Sequence, residues 1–322
     1  MEQSRRNFIR TASAATAGVV LSPNLLTHGK IQDISPNPIS VFTKCLQFLD
    51  YDQLGETLAN VGFLNAELSV RKGGHVLPEN VKNDLPKAVK SLRKSGISVP
   101  LMVTDITGVD SPEAELVIRT ASEMGIRYYR MGYLKYEPAI SVTENIQVHR
   151  RALDKLEKLN RKYRITGCYQ NHSGTNIGGP VWDLYMLVKG FDPEFTTVQY
   201  DIRHAVCEGG VSWPLGMQLL SPWIKTTAIK DFYWKKGPDG KWKITNVPLG
   251  EGMVDFDAYI EEYKKQGISG PVTIHYEYDL GGAQSGMKNP TMSREKISEF
   301  MKTDLNWLRN KFKEHGLVGL YS

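Results

Sequence analysis

Cysteine is scarce in this chain and unevenly placed, which narrows the kinds of site and fold that it can build. Only three occur in 322 residues, namely Cys45, Cys168 and Cys207. An odd number at scattered spacing argues against a disulfide framework and against a zinc site built on cysteines. We expect Cys168 and Cys207 to be buried thiols; a disulfide between them in an oxidising compartment is the alternative.

The chain also has no large excess of positive or negative charge. The chain carries 40 Lys and Arg against 35 Asp and Glu, a formal net charge of +5. No basic block interleaved with aromatic residues occurs along it. We therefore expect no nucleic-acid partner, because nucleic-acid binding needs such a concentrated basic surface.

No apolar stretch is long enough to span a bilayer as a permanent helix. Residues 11–21 form a short, mildly apolar run, and they follow an Arg5-Arg6 pair in a basic head, the pattern of a twin-arginine export signal. We expect residues 1–30 to be a signal peptide with its linker, and residues 31–322 to be one mature domain that works in the periplasm. No cysteine closely follows the signal, so we expect no membrane anchor.

Strand-like and helix-like segments alternate through the mature part of the sequence. Eight runs have strand character, at residues 39–49, 63–70, 97–104, 126–131, 163–170, 196–201, 225–231 and 271–277. Helical patterns fall at residues 52–61, 80–95, 113–124, 143–161 and 292–315. This alternation predicts an α/β fold, a single-domain (β/α)8 TIM barrel. An open doubly wound sheet would need a Gly-rich phosphate turn after an early strand, and the sequence has none.

Four of the later predicted strands end in polar or ionisable residues. Gln170, Asp201, Lys230 and Glu277 each lie at such an end, with three histidines close by, His172, His204 and His275. Because the C-terminal ends of barrel strands meet on one face, we expect these groups to converge there. Carboxylate, amide and imidazole groups together suit a divalent metal that binds sugar hydroxyl and carbonyl oxygens.

Two earlier strand ends carry further candidates. The second predicted strand leads into a loop in which Gly73-Gly74 permits a tight turn that brings Arg71 and His75 over the mouth of the barrel. Arg71 would bind substrate and His75 would be a catalytic group; a surface loop with a salt-bridged arginine is the equal alternative. Arg130 ends the fourth predicted strand, either as a substrate clamp or as a structural partner of Glu67 or Asp201.

The sequence resembles the xylose isomerase-like TIM barrels, which include sugar epimerases, hydroxypyruvate isomerase-like proteins and inosose dehydratases. The resemblance covers nearly all of the mature chain. The residues that match the family are Gln170-Asn171-His172, Asp201 with His204, Lys230-Asp231, Val247-Pro248-Leu249-Gly250-Glu251-Gly252 and Glu277. In that family the fifth strand typically ends in Glu before Asn-His, the sixth in Asp, the seventh in His-x-Lys-Asp and the eighth in Glu. The Glu, Asp, His and Glu are the usual metal ligands.

This chain departs from the family pattern at two ligand positions. Gln170 stands where the fifth strand has Glu, and Ala228 where the seventh has His. The matching positions leave Asp201, Glu277 and the neutral Gln170 as ligands, a set that still suits Mg²⁺ or Mn²⁺, with Co²⁺ as a further candidate. One of His172, His204 and His275 would supply a missing ligand. Alternatively no metal binds, and Lys230 supplies the positive charge between Asp201 and Glu277.

The resemblance implies a carbohydrate isomerase or epimerase that abstracts a proton next to the carbonyl of an unphosphorylated sugar or keto-sugar. His172, His204, His75 and Glu277 are the acid/base candidates, and Lys230 would stabilise the enolate, with Arg71 on substrate hydroxyls. The remaining substrate contacts are Arg130, His275 and, on a predicted hairpin at residues 232–244, Trp234. The absence of a large basic cluster argues against a phosphorylated substrate.

Three alternatives follow from the two ligand departures and from the family. A keto-sugar lyase or hydratase fits the same barrel, because the paired acids of an epimerase are incomplete. A sugar-binding barrel whose catalytic ligands have decayed is the non-enzymatic alternative. A metal-dependent DNA-repair endonuclease needs many more His and acidic ligands than this chain offers. Barrels of this type often pair, so a homodimer is also expected.

Overall fold

The computed structural model describes residues 39–317, and within them a closed barrel of parallel strands surrounds the core. In chain order the strands are β1 Ser40–Phe42, β2 Asn65–Ser69, β3 Ser98–Val103, β4 Tyr128–Arg130, β5 Thr166–Gln170, β6 Thr196–Asp201, β7 Ile224–Ile229, β8 Asp231–Lys236, β9 Trp242–Val247 and β10 Val272–Ile274. The barrel runs β1 to β7 in sequence and closes through β10 onto β1. The predicted (β/α)8 fold is confirmed. The predicted signal and linker at residues 1–30 lie outside the described residues.

Helices cover the outside of the barrel. They are α1 Tyr51–Val61, α2 Val81–Lys94, α3 Ala114–Glu123, α4 Val142–Tyr163, α5 Val181–Val188, α6 Ile202–Gly209, α7 Trp213–Leu220, α8 Phe256–Lys265 and α9 Arg294–Glu314. The sequence patterns had predicted α1 to α4 and α9. They missed α5, α6 and α7, each of eight residues, and α8, of ten residues. Two turns give the eight-residue helices too few residues to establish a helical period. No helix within residues 39–317 is long and apolar enough to cross a membrane.

Two of the helices begin with a capping box, in which side chains satisfy the first backbone N–H groups. Asp50 accepts from the backbone of Gln53 at the start of α1, and Ser141 accepts from Glu144 at the start of α4, each as half of a reciprocal capping box. Gly62 ends α1 in the left-handed region, at φ +107°, where a residue with a Cβ would be strained. These signals fix the lengths of the helices and so the places where the chain returns to the barrel.

The first strand is much shorter than the sequence predicted. Only Ser40–Phe42 is extended, and Thr43–Leu46 forms one turn of 3₁₀ helix. Cys45 and Leu46 are buried in that turn, so the apolar run that predicted a strand over residues 39–49 continues through a change of backbone conformation. Composition alone cannot mark such a change. The turn places Lys44 at the mouth of the barrel, where Nζ lies 3.5 Å from Oε1 of Glu277.

The predicted hairpin is confirmed as an antiparallel pair outside the barrel. β8 and β9 pair from Asp231 opposite Val247 to Lys236 opposite Trp242. Its base is held by the carboxylate of Asp231, which accepts hydrogen bonds from the backbone N–H of Phe232, Gly250, Gly252 and Val254. A Cβ at Gly252 would overlap that carboxylate. Asp231 is therefore a structural acid that ties the hairpin to the loop after β9.

A buried carboxyl group joins α9 to the barrel and makes stability depend on pH. Asp304 accepts from the hydroxyl of Tyr278 at 3.1 Å and from the backbone N–H of Leu249 at 3.4 Å, and burial raises its pKa from 3.8 to about 7. The folded protein therefore keeps a proton that the unfolded chain releases between those two values, so stability falls as pH rises through that window.

Replacing Asp304 with Asn should remove this dependence. Between about pH 5 and about pH 8, we expect the unfolding free energy of the wild type to fall by on the order of 2 kcal/mol more than that of Asp304→Asn. Urea denaturation of both proteins at the two pH values measures it. The same difference at both values would show that Asp304 titrates normally in the folded state.

Candidate active site

The candidate site lies at the C-terminal end of the barrel, where several strands stop at a polar residue. Arg130, Gln170 and Asp201 are the last residues of β4, β5 and β6, while Lys230 follows β7 directly and His275 follows β10. We call the buried members the floor: Glu67, Arg130, Gln170, Asp201, Arg203, His204, Lys230 and His275. The half-buried members form the rim: Lys44, Arg71, Tyr133, His172, Asn246 and Glu277.

The ammonium group of Lys230 lies between two carboxylates. Its Nζ is 3.2 Å from Oδ2 of Asp201 and 3.3 Å from Oε2 of Glu277. Neither contact has hydrogen-bond geometry, so Nζ is buried without a hydrogen-bond partner among the described residues. Buried donors normally find an acceptor. The arrangement therefore leaves protons of Lys230 available to an oxygen that enters the site, with two negative charges holding the ammonium in place.

Gln170 is fully engaged by its neighbours. Its Oε1 accepts from Nη1 of Arg130 at 2.9 Å and from the hydroxyl of Tyr133 at 2.7 Å, while its Nε2 donates to Oδ2 of Asp201 at 2.8 Å. Burial raises the pKa of Tyr133 to about 12, so its hydroxyl keeps the proton that it donates. The second oxygen of Asp201 accepts from the backbone N–H of His204 at 3.2 Å.

A reciprocal amide contact fixes the ends of β5 and β6 relative to each other. Asn171 donates from Nδ2 to the carbonyl of Asp201 at 2.9 Å and accepts from its backbone N–H at 2.7 Å. Asn171 is fully buried, so this pair of bonds lies away from competing water. The Asn of the Gln-Asn-His motif is therefore a positioning residue for the carboxylate of Asp201.

Two histidine rings pack against each other at the site, and their hydrogen bonds define their tautomers. The rings of His172 and His204 are 3.9 Å apart. Nδ1 of His204 lies 2.8 Å from Nη1 of Arg203, and because a guanidinium can only donate, that nitrogen is the acceptor. Nδ1 of His172 lies 2.9 Å from the carbonyl of Ser173, which can only accept, so His172 carries its proton on Nδ1 and keeps a lone pair on Nε2.

Both histidines are neutral at physiological pH. Burial, and then the nearby charge of Lys230, lowers the pKa of His172 to about 4 and holds the pKa of His204 well below its usual value. Burial opposes ionisation of Glu277 too, but Lys230 and Lys44 outweigh it and hold its pKa well below the usual range. The rim therefore presents an ionised carboxylate and an unprotonated imidazole.

His75 and His275 are committed to other partners. Nδ1 of His75 contacts the hydroxyls of Thr43 and Ser69 at 3.2 and 3.1 Å, and its Nε2 lies 3.1 Å from the carbonyl of Leu46. These contacts use both ring nitrogens to anchor the loop after β2, so the predicted catalytic role of His75 has no free nitrogen to act through. Nε2 of His275 bonds to Oε2 of Glu67 at 2.8 Å, which likewise makes it a support of the floor.

The other predicted substrate contacts are divided between the site and its surroundings. Arg71 lies on the rim and Arg130 in the floor, where it bonds to Gln170 and Tyr133 and not directly to Glu67 or Asp201. Trp234 is 39% exposed on β8, with its ring 6.3 Å from Phe232. The hairpin meets the site through two other residues, Asn246 of β9 and Phe232 of β8, whose ring centroid lies 5.1 Å from Cζ of Arg203.

Four site residues were not assigned roles from the sequence: Lys44, Tyr133, Arg203 and Asn246. Asn246 accepts from Nη2 of Arg203 at 2.6 Å and donates to the carbonyl of Glu277 at 3.2 Å. Arg203 and Tyr133 each follow a strand-final polar residue within three positions, a signal that the sequence did contain. Lys44 falls within the run predicted as the first strand, so nothing in the sequence marked it as a site residue. Asn246 lies on a hairpin whose orientation relative to the barrel no sequence pattern defines.

The donor set does not fit the divalent metal that the sequence predicted at Gln170, Asp201 and Glu277. The oxygen of Gln170 already accepts two hydrogen bonds, and the Lys230 ammonium occupies the place between the two carboxylates that a cation would need. Ala228 offers no ligand. Within residues 39–317, no group of three or more His, Cys, Asp and Glu side chains is arranged to hold a metal ion.

Comparison with known proteins gives one family match and many similar folds. A family model described as xylose isomerase-like TIM barrel matches residues 56–311. No curated protein matches the sequence. An L-ribulose 3-epimerase structure superposes with a TM-score of 0.64 at 13% identity, over 87% of this chain and 97% of that chain.

Two further structures show the range of proteins on this fold. A probable 3-DHS dehydratase, AsbF of Bacillus anthracis, superposes with a TM-score of 0.61 at 15% identity, over 84% of this chain and 98% of that chain. A xylose isomerase-like TIM barrel protein of Mycobacterium smegmatis in complex with magnesium gives 0.60 at 14% identity, over 83% and 97%. At these identities the likeness is one of fold, shared among epimerases, a dehydratase and a magnesium-bound barrel.

Proposed function

The chain belongs to the xylose isomerase-like TIM barrel family, and from that premise we propose that it is a carbohydrate isomerase or epimerase-like enzyme in which Lys230 does the work of a metal ion. The observation that carries the proposal is the buried ammonium group of Lys230, held by Asp201 and Glu277 with donor capacity left over. A positive charge aimed at an entering oxygen is what enolate formation requires.

The proposed reaction begins with the carbonyl oxygen of a keto-sugar against Nζ of Lys230. Glu277, the ionised carboxylate of the rim, removes the proton from the carbon next to that carbonyl. The electron pair of the broken C–H bond forms the enolate C=C bond, and the carbonyl oxygen takes the negative charge beside Lys230. Transfer of a proton from solvent water to the opposite face of the same carbon gives the epimer, and Glu277 then releases its proton to water. Return of the Glu277 proton to the former carbonyl carbon, with the proton of the adjacent hydroxyl passing to the former carbonyl oxygen, gives the isomer.

His172 is the second acid/base candidate because its Nε2 keeps a lone pair and its ring lies on the rim. Its contact with His204 holds the ring in place, while the Ser173 carbonyl fixes the tautomer. The ring of Tyr133 also contacts the His172 ring, edge-on and with the centroids 4.7 Å apart. His204 is buried with Nε2 3.6 Å from Oδ2 of Asp201, so we assign it a supporting role.

A lyase or dehydratase is the second candidate function, and one observation favours it. Of the three carboxylates at the site, Asp201 and Glu67 are fully buried, while the side chain of Glu277 is 21% exposed. A single accessible carboxylate suits β-elimination, in which the proton taken by Glu277 from carbon leaves with the departing hydroxyl as water. Epimerisation needs acid/base groups on both faces of the sugar.

Incubation of the protein with neutral and oxidised keto-sugars in D₂O, followed by proton NMR, tests the proposal. Enolate formation replaces the hydrogen next to the carbonyl with deuterium, with or without a new sugar product. Elimination instead produces vinylic signals. A panel in which sugars bind but no hydrogen exchanges and no product forms would contradict the enzyme proposal and favour a sugar-binding barrel.

The activity should depend little on pH around neutrality. Because His172 has a pKa of about 4 and that of Glu277 is held well below its usual range, both bases are unprotonated well below neutral pH. We expect kcat/KM to be flat between about pH 6 and about pH 8 and to fall only in more acidic solution. A profile that falls with a midpoint near the ordinary histidine value of about 6.5 would contradict this assignment.

We also propose that the enzyme acts after export, on the basis of the Arg5-Arg6 pattern. Replacing both arginines with Lys is expected to leave the full-length precursor in the cytoplasm, because the twin-arginine signal is read through that pair. Fractionation of cells that carry each version, followed by immunoblotting, measures the distribution. Equal amounts of the variant and wild type in the periplasm would contradict the proposal.

A further inference from the structure

Three cationic side chains surround one aromatic ring at the mouth of the barrel. Phe42, the last residue of β1, has Nζ of Lys44 at 5.8 Å from its ring centroid, Cζ of Arg71 at 5.4 Å and Cζ of Arg130 at 5.8 Å. They come from the turn after β1, the loop after β2 and the end of β4. We call these three cations the Phe42 cluster.

The cluster is short of negative charge. Lys44 reaches Glu277 at 3.5 Å, but Glu277 is shared with Lys230. Arg130 bonds to the neutral groups of Gln170 and Tyr133, and its Nε is buried without a hydrogen-bond partner among the described residues. Arg71 makes no ion pair within 4 Å in residues 39–317, and its pKa is lowered by burial and by Arg130, with exposed Asp105 opposing.

The whole site has the same imbalance. Among residues 39–317, five basic side chains converge on it, against three carboxylates, Glu67, Asp201 and Glu277. The basic side chains are Lys44, Arg71, Arg130, Arg203 and Lys230. Glu67 is already bonded to His275 and Gln199. Like charges in a poorly solvated pocket repel one another strongly, so an excess of positive charge favours an anion.

We infer that the substrate carries an oxyanion group, a carboxylate or a phosphate ester, away from the reacting carbon and held by the Phe42 cluster. The inference rests on the proposed function, because it names the substrate class of that same site. Guanidinium groups bind carboxylate and phosphate oxygens in a bidentate manner, and the Arg71 guanidinium has no hydrogen-bond or ion-pair partner among residues 39–317. The sequence favoured an unphosphorylated substrate because its basic residues are scattered along the chain. The fold brings three of them together, since β1, β2 and β4 all end at the mouth of the barrel.

Binding of three matched ketoses to the purified full-length chain tests the inference. D-Fructose is the neutral probe, D-fructuronate carries a carboxylate and D-fructose 6-phosphate carries a phosphate ester. Calorimetry at low salt should give at least one anion a Kd about tenfold or more below that of fructose, with the gap narrowing as NaCl is added. The tighter of the two anions identifies which oxyanion the cluster selects.

Arg71→Gln should weaken binding of the preferred anion by about tenfold or more and weaken fructose binding much less, with Arg71→Lys in between. Arg151→Gln, an exposed arginine of α4, is the matched control and should bind all three probes as wild type does. The inference is overturned if fructose binds as tightly as both anions, if neither anion binds, or if Arg71→Gln and Arg151→Gln behave alike.

Deuterium exchange on the same three ketoses separates the two proposals. Fructose that binds and exchanges its hydrogen as well as the anions do would overturn the oxyanion inference and leave the proposed function standing. An anion that binds through Arg71 without any exchange would support the oxyanion site and contradict the proposed enolate chemistry.

Discussion

Replacing Lys230 with Met is expected to lower kcat/KM by roughly 10²–10³-fold, the usual loss when a preorganised group that stabilises an oxyanion is removed. Met fills much of the same volume but has no charge and no donor. The ammonium group is buried between Asp201 and Glu277, so its loss also leaves those carboxylates facing each other. Lys230 helps to hold the pKa of Glu277 low, so we expect Glu277 to be protonated more readily in the variant, which would weaken the proposed base as well.

The matched control for this variant is Lys225→Met. Lys225 lies on the same strand, β7, near its opposite end and away from the mouth of the barrel. Circular dichroism and the urea midpoint of both variants separate loss of activity from loss of fold. Lys230→Met with more than about a tenth of wild-type kcat/KM, and with its fold intact, would show that the ammonium group does not stabilise the transition state.

Glu277→Gln should abolish turnover while leaving the fold intact. Gln has nearly the same shape, but it cannot accept the proton from carbon, so we expect kcat to fall by about 10²–10⁴-fold, the usual range for loss of a general base. Hydrogen exchange next to the carbonyl should disappear together with product formation. KM should change little if Glu277 acts mainly in the proton transfer.

Glu251→Gln is the control for this change, since Glu251 is exposed in the loop that follows β9. The two variants should therefore differ by the full expected loss of kcat. If Glu277→Gln exchanged hydrogen at the wild-type rate, Glu277 would be removed from the mechanism, and His172 would become the leading base.

The barrel was predictable because strands and helices can be told apart by which residues along the chain are apolar, and that pattern depends mainly on which residues are buried. Gln170 and Asp201 were found for the same reason: each ends a buried run, and parallel strands bring their ends together. The short β1 was not predictable, because the apolar run passes unchanged from Phe42 into the 3₁₀ turn around Lys44. That turn, rather than any motif, brings Lys44 into the site.

Tertiary contacts also decided the roles of groups that the sequence could only name. His75 and His172 looked equivalent as histidines near strand ends, but three hydrogen bonds hold His75 to Thr43, Ser69 and the Leu46 carbonyl, while His172 keeps one ring nitrogen free. Whether Lys230 or a metal stood between the carboxylates depended on side-chain direction after β7. The sequence contained both alternatives, and the positions of Nζ and the Gln170 oxygen favour Lys230.

The most direct test of the central claim is the rate of hydrogen exchange from a keto-sugar substrate by protein stripped of metal. The protein is treated with chelator, its metal content is measured by mass spectrometry, and exchange is followed in D₂O before and after addition of Mn²⁺, Mg²⁺ or Co²⁺. If Lys230 provides the positive charge, the stripped protein exchanges at its full rate and none of the cations increases it. Exchange that is lost on chelation and restored by one equivalent of a divalent cation would contradict the account.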